Sequence, residues 1–339
     1  MNVLSDQVAI PPFEGARPGP DLDAALARVV ARFHDQITSD LPQVDLLCKF
    51  IERYRGKMLR PTLTILAGQA VRPGDPVTDD AISIAAVIEM IHIATLVHDD
   101  VLDDADTRRG GPTINRMHGS EAAVIFGDYL ISQSFHLCSG LADQRTALRV
   151  GEITSTVCAG EMLQLSNRGN TELDEPTYFS IIERKTAALI ALACELGAKA
   201  AGAPEADQQR MSAYGRRLGM AFQIQDDLLD ITGAESVVGK PLGKDLEKGK
   251  MTLPIIHFLS HGPEAERAGI RDHIRIERPL HEARATLNQA LEKAGSIAYA
   301  RSVASRLIAE AKADLAPLPA SPARNTLVAL ADAVIARDH

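Results

Sequence analysis

The chain has no tryptophan, and its aromatic complement is only eight phenylalanines and five tyrosines in 339 residues. Pockets that cradle cationic rings are usually walled by aromatic faces, so this composition argues against a cyclising enzyme of that kind. Cysteine is scarce as well. Cys48, Cys138, Cys158 and Cys194 lie scattered, without metal-ligand spacing and mostly in apolar helical surroundings. That excludes a disulfide framework and reads as reduced core thiols. Basic charge is in deficit, with 36 Lys and Arg against 45 Asp and Glu, and no basic block occurs. A nucleic-acid footprint is thereby excluded. No uninterrupted apolar run reaches bilayer length, and the N-terminus shows no basic-then-apolar leader. The expectation is a cytoplasmic protein without a transmembrane segment.

Strand-like alternation is also rare, and what replaces it is helical periodicity. Ala24, Leu26, Val29, Val30 and Phe33 recur at three- and four-residue steps. The same pattern returns over 62–71, 81–98, 119–141, 146–165, 177–202, 208–231, 252–260 and 280–313. Gly and Pro cluster between these runs, as in Pro73-Gly74-Asp75-Pro76 and Gly110-Gly111-Pro112. Residues 1–20, with four prolines and two glycines, read as an irregular arm. Residues 261–285 are charged and weakly periodic, hence peripheral. Residues 21–339 are expected to form one all-α domain, a large helical bundle around a central elongated cavity.

Within that pattern one acidic word occurs twice. Asp99-Asp100-Val101-Leu102-Asp103 returns 127 residues later as Asp226-Asp227-Leu228-Leu229-Asp230, each after a mostly apolar run. Carboxylates at i, i+1 and i+4 place the first and last one turn apart on one helix face. Three anions so close repel one another unless cations intervene, and paired clusters make a hard-oxygen cage suited to Mg²⁺. A single such motif is as readily a solvated helix face; two copies, each closing an apolar helix, point to metal.

Cationic and hydrogen-bonding residues surround both copies. Gly56-Lys57-Met58-Leu59-Arg60-Pro61 precedes an apolar helix, and Arg108-Arg109-Gly110-Gly111 follows the first motif. Glu183-Arg184-Lys185-Thr186 sits in a helical run. Gly239-Lys240-Pro241 and Gly249-Lys250-Met251-Thr252-Leu253-Pro254 follow the second motif. Carboxylate-held Mg²⁺ keeps waters and shares phosphate oxygens, while fixed Lys and Arg complete the neutralisation of a polyanion. The combination points to diphosphate chemistry.

These motifs, in order and spacing, resemble the trans-isoprenyl diphosphate synthases, or polyprenyl synthetases, over about residues 22–330. The resemblance implies the isoprenoid synthase type I fold and a homodimer. It implies head-to-tail (1′-4) condensation of an allylic diphosphate with isopentenyl diphosphate to an all-trans polyprenyl diphosphate. It also implies about three Mg²⁺ per site. Asp99, Asp100 and Asp103 would bind two of them and Asp226 and Asp227 the third, with Asp230 beside them. Arg108, Lys185, Lys240 and Lys250 would hold the allylic diphosphate. Thr186 and Gln223 would bond near the reacting carbons. Isopentenyl diphosphate would be held without metal by Gly56, Lys57, Arg60, His92 and Arg109, and Gln164 matches a further cavity position. Arg55, where the family usually has a second Gly, and Met58, often basic, depart from the pattern. Asp104 and Asp106 are expected to pair with Arg108 or Arg109 rather than to bind metal.

Below Asp99 on its helix, Ala94 and Thr95 are both small, where short-chain members often carry aromatic plugs. This motif context is similar to the long-chain quinone-side-chain synthases, so a medium to long product is expected, with Phe135 as candidate floor. The alternatives are a short-chain geranylgeranyl or farnesyl diphosphate synthase, a class I terpene cyclase and a non-catalytic synthase subunit. Transient membrane contact would serve release of a lipophilic product.

Overall fold

The computed structural model describes residues 20–54, 56–233, 244–275 and 284–336. The periodic stretches fold as helices, so the all-α expectation holds, and the only sheet among the described residues is a two-stranded hairpin. The expected N-terminal arm, Arg55 and Lys240 lie outside the described residues, apart from Pro20, which opens the first helix. By its internal contacts the chain forms two compact units.

The first unit comprises residues up to Thr154, Leu192–Ser212 and Leu318–Leu327. Its helices include α1 (Pro20–Ile37), α2 (Pro42–Phe50), α3 (Leu59–Val71), α4 (Asp79–Leu102), α5 (Ile114–His118), α6 (Ser120–Ser139) and the start of α7 (Gln144–Ser166). α4 begins on a proper cap, with the Thr78 hydroxyl accepting from the Ala81 amide at 3.1 Å. Asp79 and Asp80 in its first turn suit the positive end of the helix dipole. From Ala81 to Ile91 every residue is buried, because α1, α3 and α6 pack around it. This corrects the membrane expectation in one respect. α4 is long and apolar enough to cross a bilayer by length and composition, but it is apolar all round because it is a core helix.

α6 approaches α4 closely at one point. Gly127 has no Cβ there, and a Cβ would stand 2.2 Å from the His98 ring nitrogen Nε2, which also lies 3.1 Å from the Val124 carbonyl. A tighter approach joins α3 to α9 (Ala188–Ala200). A Cβ on Gly197 would lie 2.0 Å from the Thr64 carbonyl oxygen, and one on Gly68 2.9 Å from that of Gly197. Backbone cannot yield as a side-chain tip does, so Gly197→Ala is expected to destabilise the protein by about 3 kcal/mol. Urea unfolding measures this, and a loss within about 0.5 kcal/mol would mean the contact is slack.

The second unit comprises Ser155–Ala191, Ala213–Pro317 and residues from Val328. It holds the end of α7, α8 (Glu175–Ile182), a π-helical turn (Glu183–Ala187), most of α10 (Glu205–Thr232) and the helices Leu253–His261, Glu264–Arg275, Arg284–Lys293 and Ser296–Leu315. Its core joins Tyr178, Ile182, Ile224 and Leu228 to Leu253, Ile256 and Phe258. Two expectations change. The run 280–313 is broken at Gly295, whose φ of +71° ends one helix and starts the next. The other adds an element where periodicity gave none: the weakly periodic 261–285 contains the helix Glu264–Arg275, which leaves its peripheral reading untouched. All four cysteines are free as expected, but Cys158 is exposed rather than in the core.

Candidate active site

Each acidic motif closes a long helix. Asp99 and Asp100 lie in the last turn of α4 and Asp103 caps it, while Asp226, Asp227 and Asp230 lie in the last two turns of α10. Carboxylates at a helix C-terminus oppose the dipole, which favours cations there. Neither helix carries a basic residue in its last turn. The acidic ends therefore require cations from outside the helix.

In the first unit, Arg108 supplies one. Its Nε donates to Asp100 Oδ1 and Oδ2 at 2.9 and 3.0 Å, and its Nη2 to Oδ1 at 2.7 Å. Asp100 is only 1 % exposed, so this forked bond is strong. Tyr54, buried at the end of a 3₁₀ turn (Ile51–Tyr54), donates its hydroxyl to Asp100 Oδ2 at 2.8 Å. Arg108 and Arg109 are presented by the hairpin, in which Thr107 pairs with Pro112 and Arg108 with Gly111. Arg109 and Gly110, the two linking residues, both have positive φ, as a type I′ turn demands. Among the described residues the other non-glycine residues with positive φ are Met58 and Asp104. All three flank this site, where backbone strain is commonly stored. Asp106 lies 3.5 Å from Arg116, so its partner is not the Arg108 or Arg109 expected from sequence.

Beside this cluster lies a basic one. Arg109 Nη1 donates to the Tyr54 carbonyl at 2.6 Å, and its guanidinium covers Gly56. A Cβ on Gly56 would stand 2.3 Å from Arg109 Nη2, which gives that glycine its reason. Lys57 is exposed nearby in sequence. Burial lowers Arg60 to about 10, and its Nε has no hydrogen-bond partner. The counter-charge is Glu89, 3 % exposed, which favours the charged forms of both Arg60 and Arg109. Burial, followed by Arg60, Arg109 and Arg108, holds His92 well below its ordinary value. His92 is thus neutral in the fold and an acceptor or single donor.

A pH dependence follows from His92. The unfolded chain takes up a proton near 6.5 and the folded protein does not. This group's contribution to stability is therefore complete above that pH and declines as pH falls below it. In thermal melts from pH 7.5 to 5.5, His92→Gln is expected to lose less stability than the parent. Parallel declines would remove His92 as the cause.

In the second unit a chain of hydrogen bonds converges on Asp227, 5 % exposed. Thr186 Oγ1 donates to Gln223 Oε1 at 3.0 Å, and Gln223 Nε2 to Asp227 Oδ1 at 2.9 Å. Tyr178, in α8, donates its hydroxyl to Asp227 Oδ2 at 2.7 Å. The Asp245 amide donates to Asp230 Oδ2 at 3.2 Å, and Lys250 Nζ is 3.9 Å from Asp245 Oδ1. Burial and then Asp245 push Asp227 well above the carboxylate range, with Asp226 adding to them against the bonds from Tyr178 and Gln223. Lys185 and Thr186 stand on the π-helical turn, a distortion frequent at functional sites. Lys185 pairs with Glu161, to which Gln164 Nε2 also donates at 3.3 Å. α7 fits against this turn only because Gly160 lacks a Cβ, which would meet Lys185 N at 2.7 Å.

This oxygen-rich, charge-deficient setting suits a hard divalent cation. Among the described residues no three His, Cys, Asp or Glu side chains enclose an ion alone.

Sequence reasoning missed Tyr54, Tyr178, Glu89, Glu161 and Asp245. Glu89 had a signal, being the one acid in the buried run 81–91 and three residues from His92, since a buried charge demands partners. The tyrosines had none, because their partners are 46 and 49 residues away. On the chain-length positions, Ala94 is fully buried while Thr95 is partly exposed and bonds the His92 carbonyl at 2.7 Å. The Phe135 ring lies 3.7 Å from where a Cβ on Gly151 would stand, so it packs on α7.

The polyprenyl synthetase family model matches residues 44–293. The octaprenyl diphosphate synthase of Escherichia coli (strain K12) is 35% identical over 314 residues, 93% of this chain and 96% of that protein. The crystal structure of a decaprenyl diphosphate synthase from Rhodobacter capsulatus superposes with a TM-score of 0.86 at 36% identity, over 94% of this chain and 97% of that one. A polyprenyl synthase from Caulobacter crescentus CB15, solved with calcium and isoprenyl diphosphate, matches with a TM-score of 0.86 at 31% identity, over 94% and 98%. The fold is that of the isoprenoid synthases.

Proposed function

Because this chain belongs to the polyprenyl synthetase family, we propose that it is a head-to-tail prenyltransferase. It condenses an allylic diphosphate with isopentenyl diphosphate to an all-trans polyprenyl diphosphate of medium to long chain. The observation that carries this reading is the pair of aspartate motifs, each ending a long helix with no basic residue in its last turn. The calcium and isoprenyl diphosphate of the Caulobacter protein support a divalent ion beside a diphosphate.

In this reading Asp99, Asp100, Asp103, Asp226, Asp227 and Asp230 hold Mg²⁺, which when bound supplies the charge neutralisation that makes diphosphate a competent leaving group. Arg108, Lys185 and Lys250 bind the allylic diphosphate, and the first two exchange Asp100 and Glu161 for it. Lys57, Arg60 and Arg109 bind the second diphosphate, with neutral His92 as a hydrogen-bonding neighbour. Thr186 and Gln223 fix the orientation of the reacting end, Thr186 through its bond to Gln223 and Gln223 through its bond to Asp227. No protein nucleophile is needed, because positioning and leaving-group electrostatics do the work. The allylic C–O bond breaks, the isopentenyl double bond attacks the allylic carbon and one proton is lost. A homodimer belongs to the same proposal.

The test incubates the purified chain with farnesyl and isopentenyl diphosphates and Mg²⁺, with and without a chelator. A ladder of polyprenyl diphosphates longer than the primer, abolished by chelation, is expected. Hydrocarbon release without consumption of isopentenyl diphosphate would favour a cyclase, and inactivity of the chain alone would favour a non-catalytic subunit.

A further inference from the structure

The carboxylates buried among the described residues are Glu89, Asp100, Asp227 and Asp230. Glu89 alone stands outside the acidic motifs, and the proposed reaction does not use it. It lies near the middle of α4, 3 % exposed, on a helix that carries no Lys or Arg. A carboxylate so placed stays charged only where cations reach it from other elements. Two do so. Arg60 comes from the first turn of α3, which packs on α4, and Arg109 from the turn of the hairpin. Glu89 favours the charged form of both.

These two guanidinium groups have one acid between them. Arg108 is forked onto Asp100 instead. Arg60 stands at the positive end of the α3 dipole, with no acidic residue in that first turn. Its buried Nε has no hydrogen-bond partner. His92, three residues beyond Glu89 and so on the same face of α4, is kept neutral by burial and by these arginines. The basic cluster therefore holds an excess of positive charge that Glu89 offsets only in part.

We propose that Glu89 is the resident counter-charge of this cluster: it stands in for diphosphate while the cluster is empty and limits how tightly an anion is held there. This inference rests on the synthase reading, which assigns isopentenyl diphosphate to these arginines. Removing the charge of Glu89 takes a repulsive neighbour away from a bound diphosphate. It also leaves the empty arginines buried without compensation. Both effects favour the occupied state, so binding should tighten. A residue that merely shaped the pocket would weaken binding when altered. The limit has a use in a chain-lengthening enzyme. The diphosphate brought in by each isopentenyl unit becomes the product's, and it must leave the cluster before the next unit enters.

The experiment measures isopentenyl diphosphate binding to the full chain by calorimetry in the presence of a chelator, so that only metal-free binding reports. Glu89→Gln, which keeps the shape and removes the charge, is expected to bind about tenfold more tightly than the parent, the order of one charge interaction in a partly buried site. Glu89→Asp retains the charge and should stay within about threefold of the parent. An affinity of Glu89→Gln equal to or weaker than the parent's overturns the inference, as does equal tightening by Glu89→Asp. If Glu89→Gln does not fold without ligand, isopentenyl diphosphate supplies the missing counter-charge and should restore a cooperative thermal melt. A variant that stays unfolded with the ligand in excess also overturns the inference. Failure of the parent chain to bind isopentenyl diphosphate would sink the synthase reading of this cluster; parent binding without tightening in Glu89→Gln sinks only the role of Glu89.

Discussion

Alanine at Asp99 or at Asp226 is expected to lower turnover by about three to five orders of magnitude without unfolding the protein. On the proposed function each change removes a metal contact that strengthens as charge develops on the departing diphosphate. These two positions are the cleanest choice in their motifs. Asp100 and Asp227 are gripped by buried tyrosines, so their removal would strand hydroxyls and confuse catalysis with stability. Asp99 and Asp226 are only partly buried, at helix ends whose dipoles already disfavour negative charge. Their loss should leave the protein folded in metal-free buffer. Steady-state assays with farnesyl and isopentenyl diphosphates, paired with thermal melts, check both halves. A loss of activity below about tenfold would rule out the metal assignment.

Thr95→Phe should shorten the product to the short-chain class while metal-dependent diphosphate release continues. The exposure of α4 selects this position. His92, Thr95, Leu96 and Asp99 are its partly exposed stripe at steps of three and four, so a ring at Thr95 stands one turn beneath the reacting end. Ala94 lies beside that stripe with no exposure, and a ring there would overpack the core at about 1–3 kcal/mol or more. The two variants should therefore separate. Thr95→Phe alters the product, and Ala94→Phe lowers the unfolding midpoint first. Product analysis by radio-thin-layer chromatography decides the first point, and unchanged length at Thr95→Phe would remove the argument that this stripe guides the growing chain.

Much of the site was legible because its chemistry is local in sequence. The acidic words need only five residues each to set their spacing, and their apolar approaches announce the helices that carry them. The hairpin of Arg108 and Arg109 was visible as a Gly-rich turn, although the pairing of Arg108 with Asp100 was not. Helix limits held where Gly or Pro marked them and slipped where tertiary packing intervened. The run 177–202 reads as one helix, yet it contains the π-helical turn that presents Lys185, which α7 approaches through Gly160.

What the amino-acid sequence determined alone was the class of chemistry, because doubled carboxylates at helical spacing have few uses apart from metal and phosphate. Tertiary structure decided how those charges are held before substrate arrives. Tyr54 reaches Asp100 across 46 residues, Tyr178 reaches Asp227 across 49, and Glu89 offsets the arginines of the basic cluster. No periodicity encodes these contacts. They follow from burial, which obliges every charge removed from water to find a partner wherever the fold brings one within reach.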